Sequence, residues 1–163
     1  MKTLYLVRHA KSSWKHPELS DFERPLNKRG KRDAPAIGQY LRSKDIKPDI
    51  IISSSAVRAL MTTKIISKSL SYPFNQVVFS RDIYEANISS LFKTISEVNN
   101  KFNSTMMVGH NPAMTDLANA LTNTRIDNIP TCGVYCAELD ISSWESISEN
   151  CGRMIFFEYP KNI

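Results

Sequence analysis

The chain reads as an α/β protein. Four short apolar runs, at residues 4–7, 50–52, 77–79 and 105–108, alternate with stretches whose apolar residues recur at helical spacing, up to about Leu121. The pattern then changes. Residues 134–139 and 153–159 read as two further strands, separated by the polar segment 140–152, and are expected to pair as an antiparallel hairpin at one side of the sheet. Together these observations predict a mixed sheet with helices packed on it. A length of 163 residues fits one domain over 1–163 with a core of its own.

The first strand is the most informative. Leu4-Tyr5-Leu6-Val7 is apolar throughout, as expected of a strand buried on both faces, and it ends abruptly in Arg8 and His9. Ligands of open α/β sheets bind at the carboxyl edge, so a cation and an imidazole stand where an anion would arrive. A buried structural histidine beside a surface arginine would give the same stretch. The polar loop 11–26 follows, with Trp14, His16 and Asp21-Phe22-Glu23-Arg24-Pro25-Leu26. Arg24 adds a cation near Arg8 and His9, or else is a solvated residue of an ordered turn; His16 reads as a solvated loop residue.

Asn27 as N-cap and the spacing of Ala34, Ile37, Gly38 and Leu41 predict a helix from about 28 to 42, its Lys and Arg residues facing water. Pro35 inside it predicts a kink or a start later than Asn27. The strand 50–52 runs into Ser53-Ser54-Ser55, and a helix opens near Ala56 with Val57, Leu60, Met61 and Ile65 as its expected apolar stripe. Arg58 lies in the first turn of that helix, beside unpaired backbone N–H groups. A cation there opposes the helix dipole by about 0.3–1 kcal/mol, a conflict that a bound anion would remove.

The third strand, 77–79, leads into a loop, 81–86, in which Asp82 and Glu85 are both candidates for a proton donor. Leu91, Ile95, Val98 and Phe102 mark the next amphipathic helix. The strand 105–108 then ends in Gly109-His110-Asn111-Pro112, repeating the opening arrangement, and Met114, Leu117, Ala118 and Leu121 form the stripe of a last helix.

Composition narrows the function classes. Cys132, Cys136 and Cys151 are odd in number and lack zinc-site spacing, and no leader or long apolar segment is evident, so a soluble cytoplasmic protein without membrane contact is expected. The net charge of +5 and pI near 9.2 favour an anionic partner. No recognised nucleic-acid motif or basic stripe interleaved with aromatics is present, which argues against a nucleic acid. Two His and two Arg converging without clustered carboxylates or thiolates suit no metal, whereas guanidinium groups match phosphate oxygens. No cofactor is expected.

Leu4-Tyr5-Leu6-Val7-Arg8-His9-Ala10, Ser54-Ser55-Ala56-Val57-Arg58-Ala59 and Val108-Gly109-His110-Asn111-Pro112, in that order, resemble the histidine phosphatase superfamily. The match is nearest to its short SixA-like phosphohistidine phosphatases. Arg24-Pro25-Leu26 followed by Gly30 resembles the segment after their first loop, so the likeness covers nearly the whole chain. It implies a three-layer α/β/α sandwich with a mostly parallel mixed sheet and an antiparallel strand near one edge, as in phosphoglycerate mutase-like proteins. It also implies that His9 is a nucleophile that becomes phosphohistidine, with Arg8, Arg58 and His110 holding the phosphate oxygens and no metal required. Glu85 matches the family's proton donor where one exists, and Arg24 and Asn111 are further phosphate-binding candidates.

The chain departs from the common pattern in having Ala10 for Gly and Ser55 for Pro, the latter leaving the turn before Arg58 less rigid. The expected activity is hydrolysis of protein phosphohistidine, since the compact chain has little sequence to spare for a lid. The alternatives are a phosphatase of small phosphate esters and a non-catalytic phosphate-binding module.

Overall fold

A computed structural model describes all 163 residues. Strands β1 (Lys2–Arg8), β2 (Ile50–Ser54), β3 (Val78–Ser80), β4 (Ser104–Gly109), β5 (Val134–Leu139) and β6 (Gly152–Glu158) form one six-stranded sheet in the order β3-β2-β4-β1-β5-β6. β3, β2, β4 and β1 run parallel, and β5 lies antiparallel to both β1 and β6. Helices α1 (Lys28–Ser43) and α2 (Val57–Ser69) cover one face, and α3 (Ile88–Ser96) and α4 (Ala113–Leu121) the other. The strand period of two explains the split. Leu4, Leu6 and Met107 point toward α3 and α4, whereas Val7, Met106 and Val108 point toward α1 and α2. This is the expected three-layer sandwich. No helix is long and apolar enough to cross a membrane.

Three local expectations are corrected. Pro35 marks no late start, because α1 begins at Lys28 with the Asn27 carboxamide accepting the Gly30 N–H at 2.9 Å. The buried side of α2 consists of Arg58, Ala59, Thr62, Thr63, Ile66 and Ser67, while Val57, Leu60, Met61 and Ile65 are half-buried. Small and hydroxyl side chains let α2 lie close to α1 and to the serine-rich end of β2. There Thr63 Oγ1 donates to Ser53 Oγ (2.9 Å), and a Cβ on Gly38 of α1 would collide with the Ser69 hydroxyl. Helix α3 stops at Ser96, so Val98 and Phe102 lie beyond it, in a turn that Asn99 organises by accepting the Lys101 N–H.

The topology also positions the site. Arg8 is in register with Gly109 on the adjacent parallel strands β1 and β4, so His9 and His110 emerge side by side at the carboxyl edge. The chain then turns to opposite faces, toward α1 after β1 and toward α4 after β4. That divergence opens the crevice in which α/β folds bind ligands.

Candidate active site

The two imidazoles face each other with ring centroids 5.0 Å apart. His9 is 7% exposed, and its Nδ1 lies 2.7 Å from the Ala10 carbonyl oxygen. A carbonyl only accepts, so Nδ1 carries the ring proton and Nε2 keeps its lone pair. The carbonyl is held in turn: the Ala10 N–H donates to Thr62 Oγ1 (2.9 Å), and Thr62 donates to the Arg58 carbonyl (2.8 Å). Burial, opposed by the Ala10 contact and reinforced by His110 and the nearby arginines, lowers the His9 pKa to about 3. Burial and Arg58 likewise lower His110 to about 4, so both rings are neutral near pH 7.

His110 is held differently. Its Nε2 is 2.7 Å from the Ser54 hydroxyl at the end of β2, and the Tyr84 ring packs edge-on against it at 5.5 Å. Its Nδ1 is buried without a partner, as are the Nε atoms of Arg8 and Arg58. Arg8 is anchored by Nη1 on the Ile129 carbonyl (3.0 Å). Arg58, 6% exposed, occupies the first turn of α2, whose N-cap Ala56 supplies no capping side chain. Unpartnered buried nitrogens on three side chains at one sheet edge are what an anion site presents before its ligand arrives.

The loop 9–27 contributes a carboxylate that the sequence reading left without a role. Asp21 accepts hydrogen bonds from Arg58 Nη2 (3.0 Å) and Tyr84 Oη (2.7 Å) on Oδ2 and from Arg24 Nε (3.1 Å) on Oδ1, while its carbonyl accepts from Arg58 Nη1. The Tyr84 hydrogen bond and the two guanidinium groups hold its carboxyl at about 2. Arg58 therefore opposes the α2 dipole with a counter-charge already in place. Its aim is set by Asp21 rather than by the Ser55 turn.

Arg24 is 8% exposed, not solvated. Its guanidinium donates to Asp21, Ser12 Oγ and the Ser13 carbonyl and stacks 3.6 Å beneath the Trp14 ring, which is itself 73% exposed. Asn27 N donates to the Lys11 carbonyl and Ser13 N to that of Pro25, closing the base of the loop. Gly30 is required there, because a Cβ would collide with the Lys11 carbonyl.

The remaining candidates lie further out. The Asn111 amide donates to Asn128 Oδ1 (2.8 Å) and the Ile129 carbonyl (3.0 Å), and its oxygen accepts from Thr115. It thus pins the loop that also anchors Arg8. Glu85 is exposed and makes no hydrogen bond or ion pair; it lines an outer cleft with Arg81, Asp82 and Lys93. His16 is exposed, 3.5 Å from Glu18. Sequence reasoning missed Asp21, Thr62, Tyr84 and Ser54 as site residues. The available signals were an acidic residue three before Arg24 and two threonines where the α2 stripe should have been apolar.

Comparisons with known proteins match the chain and its fold. The model of the histidine phosphatase superfamily (branch 1) matches residues 4–104, ending just short of His110. An uncharacterised chloroplastic protein of Arabidopsis thaliana is 32% identical over 152 residues, covering 88% of this chain and 69% of that protein. Among solved structures, one from Agrobacterium tumefaciens designated as a phosphohistidine phosphatase SixA has a TM-score of 0.84 at 27% identity, covering 98% of both chains. A protein histidine phosphatase SixA in complex with tungstate also gives 0.84 over 98% of both chains, at 18% identity. A chain whose motifs, fold and relatives agree in this way belongs to the histidine phosphatase superfamily, branch 1, as a SixA-like member.

Proposed function

We propose that this phosphatase passes the phosphoryl group through His9 and that its substrate is phosphohistidine carried on another protein. The observation that carries the reading is the His9 ring. Its Nδ1 proton is committed to the Ala10 carbonyl, so a neutral Nε2 lone pair lies beside His110 and the unpartnered donors of Arg8 and Arg58. Nε2 attacks phosphorus, and the bond from phosphorus to the substrate's imidazole nitrogen breaks with its electron pair returning to that ring. Glu85 supplies the proton the leaving ring needs. Asp21 is unsuited to that role, being held ionised; Glu85 is assigned to it because it directly follows Tyr84, whose hydroxyl reaches the Asp21 carboxylate at 2.7 Å. Water then gives a proton back to Glu85 and attacks phospho-His9, and the Nε2–phosphorus bond breaks with its electron pair returning to the ring, releasing phosphate and restoring neutral His9. Arg8, Arg58 and His110 balance the charge on the transferring oxygens, the role a metal plays elsewhere. Arg24 adds charge from behind Asp21, and Asn111 holds the Arg8 anchor.

The shape of the rim supports a protein substrate. The connections β2–α2 and β4–α4 are two and three residues long, so short turns border the crevice on those sides. The exposed Trp14 offers contact area beside it. Rapid mixing with a peptide bearing radiolabelled phosphohistidine tests the proposal. Label should appear on the protein at His9, acid-labile and base-stable, and turnover should exceed that of sugar phosphates at least a hundredfold. Turnover with no labelled protein would overturn the mechanism, and a preference for sugar phosphates would overturn the substrate.

A further inference from the structure

In the free protein, donors suited to a phosphoryl group are partly occupied by the chain itself. The Asp21 carboxylate takes one η nitrogen of Arg58 and the Nε edge of Arg24, and its own carbonyl takes the other η nitrogen of Arg58. The arrangement is built rather than incidental. Tyr84, whose ring packs against His110, adds a 2.7 Å hydrogen bond to the same carboxylate oxygen that Arg58 uses. Phe22 packs edge-on against the Tyr84 ring at 4.9 Å, and the Glu23 carboxylate accepts from the Ser20 hydroxyl (2.8 Å) and amide, fixing the short helical turn 21–23. One face of the site thus carries a fixed negative charge within contact distance of its most buried cation.

We infer that Asp21 is a specificity-determining residue that holds down the affinity of the site for phosphate as such, so that productive binding depends on the molecule carrying the phosphoryl group. Arg58 meets the ligand through its remaining N–H groups, the unpartnered Nε among them, with much of its charge already balanced. A dianion entering the crevice gains the Arg8, Arg58 and His110 donors and is opposed by the Asp21 carboxylate. The opposition is the same for substrate and product. A protein-borne substrate offsets it by contacts outside the crevice, Trp14 being the exposed surface nearest to hand, whereas free phosphate has none and leaves. Product release is thereby favoured without weakening the donors that stabilise the transferring group.

The inference rests on the phosphate-pocket reading, and calorimetric titration with inorganic phosphate tests the two separately. If neither the unaltered protein nor folded Asp21→Asn binds phosphate at millimolar concentration, the pocket reading fails. If phosphate binds, Asp21→Asn, which keeps the shape and removes the charge, should tighten the dissociation constant about tenfold, the effect of one like charge at this range in a partly exposed site. Product inhibition in the phosphohistidine peptide assay should strengthen by the same factor. Weaker or unchanged phosphate binding by a folded Asp21→Asn protein would overturn the inference, since a residue that merely positions Arg58 would lose affinity when altered. Asp21→Ser, which also removes the charge and leaves a small polar side chain beside Arg58, should likewise tighten binding. It decides the matter should Asp21→Asn not fold, and loss of affinity in Asp21→Ser would count equally against the proposal.

Discussion

His9 and His110 end neighbouring parallel strands in matching register, yet they are held by different kinds of partner. The His9 ring is fixed by a backbone carbonyl, which only accepts. The His110 ring meets a serine hydroxyl, which accepts or donates, and an aromatic edge. A carbonyl partner fixes the tautomer and the orientation of the free nitrogen together; a hydroxyl partner leaves the tautomer to the ligand. The two chemically identical side chains are thus held in ways that suit the separate tasks proposed for them, one as a group that forms a bond and one as a group that adjusts its hydrogen bonds to a changing charge.

Alanine at each position should separate the two tasks most sharply. His9→Ala should lower phosphate release from a phosphohistidine peptide by at least about 10⁴-fold, because no other group takes its place. His110→Ala should lower it by about 10²–10³-fold, the usual cost of one lost charge-stabilising donor. Equal losses would break the division, as would activity retained by purified His9→Ala protein.

The pH dependence of stability is the next largest effect. Both imidazoles titrate lower in the folded protein, at about 3 and about 4, than in the unfolded chain near 6.5. Below pH 6.5 the unfolded state therefore binds protons that the native state refuses, and stability contributed at neutral pH is lost as pH falls. For His110 the loss continues to about pH 4 and for His9 to about pH 3. Within that window each ring contributes a slope of up to about 1.4 kcal/mol per pH unit. Urea midpoints at pH 7 and pH 5 should show a decline in the unaltered protein and a shallower one in His9→Ala. An identical slope in both would mean that His9 is not held neutral by burial.

The smallest effects lie one layer behind the rings. Thr62→Val leaves the Ala10 N–H buried and unpaired and should cost about 1–3 kcal/mol in unfolding free energy. Ser54→Ala removes a partner from the His110 imidazole and also the 3.2 Å acceptor of the buried Ala56 N–H, and should cost about 1–3 kcal/mol. Unchanged unfolding free energy in either variant would show that the hydroxyl it removes carries no net weight in holding the site.

Much of this was legible in the sequence because strand ends can be recognised from apolar runs. The runs before Arg8-His9, Ser53-Ser54-Ser55 and Gly109-His110 located three corners of the site, and the change of pattern after Leu121 located the antiparallel strand. What stayed hidden depends on contacts between distant residues. The face that α2 turns to the sheet is chosen by how closely it packs rather than by its most apolar positions, so Thr62 and Thr63 displaced Met61 and Ile65. Asp21 lies in a polar loop whose composition is that of any solvated loop. Its partnership with Arg58 and Tyr84 exists only after the β1–α1 and β3–α3 connections have been brought to one edge. Arg24 escaped notice as a buried group because burial of a cation follows from the pairing that Asp21 supplies.

The pairing of Arg8 with Gly109 has one more consequence. His9 and His110 stand about a hundred residues apart along the chain, and no local segment contains both. Their adjacency is created by the parallel ladder between β1 and β4, a contact of large sequence separation whose loop-closure cost must be met during folding. Until that ladder forms, the nascent chain carries the first histidine without the second. Catalytic competence therefore reports, as a chemical readout, on the completion of the central strand pair.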